Sequence, residues 1–242
     1  MRSSSAVAVA LWSLAWLPQC MQVTDGIEVD VAYQSKATPL QIRTDMGYRV
    51  RLERALIVIG EVELLRCDNF VLDLWQLLGP ARARAHVLVS PTSLGVPYVL
   101  DLIETAGTPV FAGTLRPPPG SYCGIRVVGM PATEQAEGLT EKNRDVLEHT
   151  MLAAGQVTDS STGAEWPLEV KMGEPLPCEM RFDRALVFDE PMLESISIEI
   201  DQTSWFDGID FASLDQDAVH ERITKNLWSS LKASIPDWEL GS

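Results

Sequence analysis

Between positions 48 and 65 the chain carries a pattern that leaves little freedom in how it folds. Residues 48–54 (YRVRLER) alternate apolar and polar, with Tyr48, Val50 and Leu52 set against Arg49, Arg51 and Glu53. That is the period of a strand with one face buried. Residues 55–65 (ALIVIGEVELL) then run almost continuously apolar, as a strand covered on both faces does. Gly60 inside the run predicts a bulge or bend, so the segment reads as one interrupted strand or as two.

The rest of the chain supplies partners. Strand patterns recur at 27–31, 70–77, 86–90, 98–103, 110–115, 122–128, 151–157, 167–172, 180–188 and 193–200, where Ile196, Ile198 and Ile200 share one face. Turn-forming clusters at 79–80, 91–93, 107–109, 117–120 and 160–163 punctuate them. Short strands at close spacing predict a mostly β fold, a transthyretin- or immunoglobulin-like sandwich, rather than alternating β and α units. Residues 134–148 are polar and charged and read as a loop with at most one helical turn. The exception to the β pattern is 215–235, where Val219, Ile223, Leu227, Leu231 and Ile235 recur every fourth residue and Trp228 widens the stripe. Ser213 and Gln216 look like a capping box, Asp215 and Asp217 suit the helix N-terminus, and Pro236 ends the element. With no repeat or linker, residues 23–242 read as one domain whose C-terminal helix packs on the sandwich; docking of that helix on a partner is the second reading.

Residues 1–22 read as a leader. One positive charge precedes about a dozen apolar residues, the pattern of an export signal and too short to span a bilayer, which takes roughly 20. No small-residue cleavage pair falls in the usual place, and residues 17–20 (LPQC) resemble, with Gln19 out of pattern, the segment that is lipidated on its cysteine in bacterial lipoproteins. Lipidation at Cys20, plain cleavage, an uncleaved anchor and an apolar first strand all stay open. Each of the first three implies an exported protein of the periplasm or envelope, in one case an outer-membrane lipoprotein.

Charge narrows the partners. The 34 acidic residues outnumber the 19 lysines and arginines, giving a formal charge of −15. Such a surface repels phosphate backbones and excludes a general nucleic-acid role, while it permits cations. The four cysteines, at 20, 67, 123 and 178, lack zinc spacing. In an oxidising compartment Cys67, ending one strand pattern, and Cys123, beginning another, are the expected disulfide. Closing that loop of about 55 residues contributes roughly 4 kcal/mol in the chain-entropy model. Cys178 is then the odd one, buried or free.

Chemical motifs are sparse. No G-x-S-x-G, G-x-G-x-x-G or Walker pattern occurs, which argues against serine hydrolases, NTPases and nucleotide oxidoreductases. Of the three histidines, His86 reads as a strand residue, His149 precedes a strand and His220 lies on the C-terminal helix. Convergence of two or three would suit copper or zinc. The acidic segment around Asp207 and Asp210 is a candidate calcium loop, although its spacing differs from an EF-hand and Asx turns explain it as well. Trp75, Trp166, Trp205, Trp228 and Trp238 are most simply core residues.

Residues 115–127 (LRPPPGSYCGIRV) carry Gly120, Tyr122, Ile125 and Arg126 in the order G-x-Y-x-x-I/V-R. The segment resembles uncharacterised exported β-sandwich domains of bacteria, among them lipoproteins and proteins similar to the methanobactin-associated periplasmic copper proteins. Residues 94–102 and 205–211 share the likeness, which touches about a quarter of the chain. The resemblance implies an envelope location and a sandwich fold. Copper in those relatives is held by histidines with a modified tryptophan, and no W-x-H occurs here. On its own chemistry Tyr122 predicts a corner lock, with its ring buried and its hydroxyl on a backbone carbonyl.

The leading expectation is an exported, non-enzymatic envelope module that binds a small ligand or an envelope protein, or serves a structural role. A periplasmic metal-binding protein, with copper or calcium as cofactor, is second, and a carboxylate-dependent hydrolase third.

Overall fold

A computed structural model of the protein describes residues 26–36, 41–67, 90–212 and 216–236. The chain is mostly β, with two sheets and, among the described residues, one α-helix. The leader 1–22 with Cys20, the expected strand 70–77, His86, Ser213, Trp75 and Trp238 lie outside the described residues.

The alternating and the apolar parts of the predicted pattern form one continuous strand of 19 residues, β3 (Tyr48–Arg66). Along one edge, its first half pairs antiparallel with β8 (Met151–Asp159) and its second half with β7 (Gly120–Gly129). The opposite edge is covered in pieces by β2 (Ile42–Arg43), β5 (Tyr98–Asp101) and β4 (Ser93–Leu94). Outside these, β9 (Glu165–Met172) continues the sheet from β8 and β10 (Leu176–Phe188) from β7. Gly60 marks a register shift against β7, so the expected bulge exists without breaking the strand. A Cβ there would stand 2.6 Å from Met130.

β7 and β8 therefore follow one line along β3, interrupted by an excursion of the chain between Gly129 and Met151. Val58 closes the gap on both sides, accepting from Met130 N and donating to Thr150 O. The excursion contains one 3-10 turn, Arg144–Val146, and folds back over the outer face of β3. Ala132, Ala136 and Val146 bury against Leu56 and Val58 there, while Ala55, Ile57 and Ile59 face the main core. This double cover explains the apolar run that sequence alone required to be buried twice.

The second sheet runs β12 (Lys232–Ser234), β11 (Met192–Ile200), β1 (Ile27–Ser35), β6 (Pro109–Leu115). β1 and β11 are parallel and the other pairs antiparallel. Val29 and Val31 of β1 and Ile196, Ile198 and Ile200 of β11 share one cluster with Val50, Ile57 and Ile59, so the two sheets close on a common core.

The helix α1 (Gln216–Ser230) is shorter than the expected 215–235. Val219, Ile223 and Leu227 are buried as the stripe predicts. Beyond Ser230 the chain straightens instead, and β12 pairs with the edge of β11 through Ala233 opposite Ile198. Two forces favour this outcome. Pro236 cannot donate into a helix and disfavours helical Ile235, whereas the open edge of β11 offers backbone partners. Trp228 packs its ring where Gly129 has no side chain; a Cβ at Gly129 would stand 2.5 Å from the indole.

Cys67 and Cys123 form a disulfide, with their Cα atoms 4.8 Å apart. Beside it Tyr122 is fully buried and donates to Pro118 O at 2.9 Å, closing the corner expected of it. Cys178 is free and half-buried, its thiol donating to Trp228 O at 3.4 Å. Burial, helped by the neighbouring Glu179, pushes that thiol up from its ordinary pKa, which disfavours the reactive thiolate.

Candidate functional site

The two sheets do not close everywhere. β6 is an edge strand with a bulge: Gly113 pairs with Val31 and Phe111 with Ala32, leaving Ala112 extra between them. Such a bulge bends an edge strand and re-aims its residues. Gly113 sits at φ 143°, and a Cβ on it would approach Leu94 Cδ2 to 3.1 Å. Leu94 belongs to β4, paired with Val62 on the opposite sheet. The bulge and the short β4 thus meet across the layers and frame a cavity of about 490 Å³.

Val62, Leu94, Val96 and Ala112 give this cavity apolar walls, and Glu61 and Glu137 add carboxylates. Tyr33 is its most informative lining residue. It continues the inward row of β1 and is 3% exposed. Its ring lies 6.0 Å from that of Tyr98, tilted by 51°. No hydrogen bond to its hydroxyl exists among the described residues. Burial, with a smaller contribution from Tyr98, raises the phenol's pKa far above its ordinary value. The hydroxyl is therefore a neutral group, able to donate and accept, at a largely apolar opening.

Comparison with known protein families, with curated proteins and with solved structures gives no match. The site is therefore read from its own chemistry.

The expected metal ligands are placed elsewhere. His149 sits at the end of the excursion, where its backbone donates to Val146 O and accepts from Ala132 N. His220, on α1, has Nε2 at 3.1 Å from Glu169 O of β9, a helix-to-sheet contact. Asp207 Oδ1 accepts from Asp45 N, and Asp45 Oδ1 accepts in return from Gly208 N at 2.7 Å. Asp210 accepts from the Tyr48 hydroxyl and from Ala212 N. These acids fasten the turn before β3 to the loop before α1. Among the described residues no group of three or more His, Cys, Asp or Glu side chains is arranged to hold a metal ion.

The sequence reading missed Tyr33, Leu94, Ala112 and Glu137. Two signals were present: a tyrosine on the buried face of an alternating strand, and a glycine inside the strand pattern of β6. Neither reveals that residues from five separate stretches of chain meet at one opening.

Proposed function

We propose that the protein is an exported, non-enzymatic binding module whose inter-sheet cavity takes a small, largely apolar ligand with one hydrogen-bonding group for Tyr33. The observation that carries this reading is the unpartnered Tyr33 hydroxyl in a cavity of about 490 Å³. That volume lies in the usual range of small-molecule sites, roughly 300–1,000 Å³, and apolar walls with a few placed polar groups are their usual make-up. Glu61 and Glu137 disfavour an anionic ligand and leave neutral or cationic ones.

The Cys67–Cys123 disulfide is the bond of an oxidising compartment, and it supports the export reading of the leader, with lipidation at Cys20, plain cleavage and an uncleaved anchor all open. Two sheets closing on one core support membership among sandwiches of the transthyretin or immunoglobulin type.

The test begins with protein purified from its native compartment, extracted with organic solvent and analysed by mass spectrometry for a stoichiometric small molecule. In parallel, the emptied protein is titrated with the neutral fluorescent dye Nile red. Ala112→Trp, which fills the cavity, abolishes saturable dye binding, and its melting curve establishes that it folds. A ligand recovered by extraction binds about fivefold more weakly to Tyr33→Phe, the loss of one neutral hydrogen bond. Absence of any extracted molecule together with equal dye binding by wild type and Ala112→Trp overturns the proposal.

A further inference from the structure

At the other end of β3 stands a recess of a different kind, lined by Arg43, Thr44, Gly47, Tyr48, Arg49 and Ser160, with a volume of about 350 Å³. Arg43 and Arg49 are direct register partners across β2 and β3. Side chains opposite one another in an antiparallel pair point to the same face, so two guanidinium groups are set side by side. Like charges opposed in this way destabilise a sheet unless something between them offsets the repulsion.

Several arginines of the described residues have carboxylate partners. Arg51 pairs with Glu53, Arg54 with Asp145, Arg116 with Glu28, Arg126 with Glu179 and Arg144 with Glu134. With acidic residues in excess, carboxylate partners are plentiful. Neither Arg43 nor Arg49 makes an ion pair or side-chain hydrogen bond among the described residues. Arg49 Nε is buried with no hydrogen-bond partner, and a buried unpaired donor on a charged group is costly.

Three acids close to the recess in sequence, in register or through Tyr48 accept hydrogen bonds from other groups. Asp45 accepts from Gly208 N, and Asp210 accepts from the Tyr48 hydroxyl. Asp159 takes the backbone and hydroxyl of Ser161 and the hydroxyl of Thr162. Two hydroxyls complete the lining. Thr44 Oγ1 accepts from Tyr48 N and keeps its own proton to donate, and Ser160 is held by its backbone bond to Gly47 O at 3.2 Å.

From this geometry we infer a binding site for a tetrahedral oxyanion, a phosphate group or its sulfate analogue, between Arg43 and Arg49. Guanidinium forks bind such oxygens in pairs, and hydroxyl donors suit the remaining oxygens. The site is independent of the inter-sheet cavity and stands or falls separately from it.

The test is a thermal and calorimetric titration of the full mature chain with inorganic phosphate and with sulfate, each against sodium chloride of equal ionic strength. A further arm uses phosphatidylcholine vesicles with and without phosphatidic acid, which separates a free anion from a lipid headgroup. The expected result is a saturable rise in melting temperature with phosphate beyond that in chloride. Arg49→Gln and Arg43→Gln each weaken phosphate binding about tenfold, as loss of a charge-assisted hydrogen bond does, while Arg51→Gln leaves it unchanged. Vesicle binding only when phosphatidic acid is present assigns the same site to a headgroup. Equal shifts in phosphate and chloride with no vesicle binding, or equal phosphate affinity in wild type and the Arg43→Gln/Arg49→Gln double variant, overturn the inference.

Discussion

β3 begins in a polar hitch and ends at a disulfide, and the two ends are secured by different chemistry. At the far end Cys67 is bonded to Cys123, Arg66 lies 5.9 Å over the Tyr122 ring, and Arg126 bridges Glu63 and Glu179. At the near end nothing is covalent. Tyr48 meets Phe211 edge-on, ring centroids 5.3 Å apart, and gives its hydroxyl to Asp210, while Asp45 and the 207–208 turn exchange amide-to-carboxylate bonds. The disulfide itself holds whatever the protonation state of its neighbours. The hitch rests on carboxylates that accept hydrogen bonds. Both candidate sites follow this division: the cavity draws on Glu61 and Val62 toward the disulfide end, the arginine recess on Tyr48 and Arg49 at the hitch.

The strongest challenge to this contrast is removal of the covalent bond. The paired Cys67→Ser/Cys123→Ser variant loses about 4 kcal/mol in a urea titration, and a loss below about 1 kcal/mol would mean that the far end holds by packing alone. Next in size is the helix that carries the hitch loop's partners. Asn226 of α1 donates to Trp205 O and Asp207 O, and Trp228→Ala in the same helix costs about 3 kcal/mol by emptying the space over Gly129. Tyr48→Phe removes the hydroxyl from Asp210 and costs about 1.5 kcal/mol at neutral pH, a bond to a charged acceptor being stronger than a neutral one. Tyr122→Phe at the far end is smaller, about 1 kcal/mol, because its acceptor is the neutral Pro118 carbonyl.

The finest test is of pH. Asp159 pairs in register with Tyr48 at the hitch end. The Ser161 amide, then the Ser161 and Thr162 hydroxyls, hold its pKa down to about 2. Its folded value lies below the unfolded one, so its stabilisation is complete above about pH 4 and is lost as pH falls toward 2. Asp159→Asn lowers stability near neutrality and flattens the profile in that window, so that its difference from wild type disappears as pH falls toward 2. An unaltered profile would show that the turn owes nothing to the charge.

How much of this was legible beforehand depended on whether a feature was local. β3 was legible because its period changes where its environment changes, from one covered face to two. The disulfide was legible because Cys67 and Cys123 flank strands that pair. Tyr122 was legible as a corner because prolines and a glycine precede it. The helix was over-extended because Leu231 and Ile235 keep the i+4 rhythm, and nothing local announces that the edge of β11 is open. The excursion between β7 and β8 looked like a bare polar loop, since the alanines and Val146 that cover Leu56 and Val58 are scattered among charges. The cavity and the arginine recess were invisible for a related reason: register across strands, not spacing along the chain, brings their residues together.

The parallel pairing of β1 with β11 bears on the order of assembly. Ile27 faces Met192, and nearly the whole large sheet lies between them in sequence. Whether the chain emerges from a ribosome or threads through a secretion pore, β1 arrives first. It can acquire β6 early, yet its other rim stays open until β11 follows. For that interval a row of valines and unsatisfied amides is a template for the wrong neighbour. The small sheet is thus the last part of the described fold to become safe from aggregation.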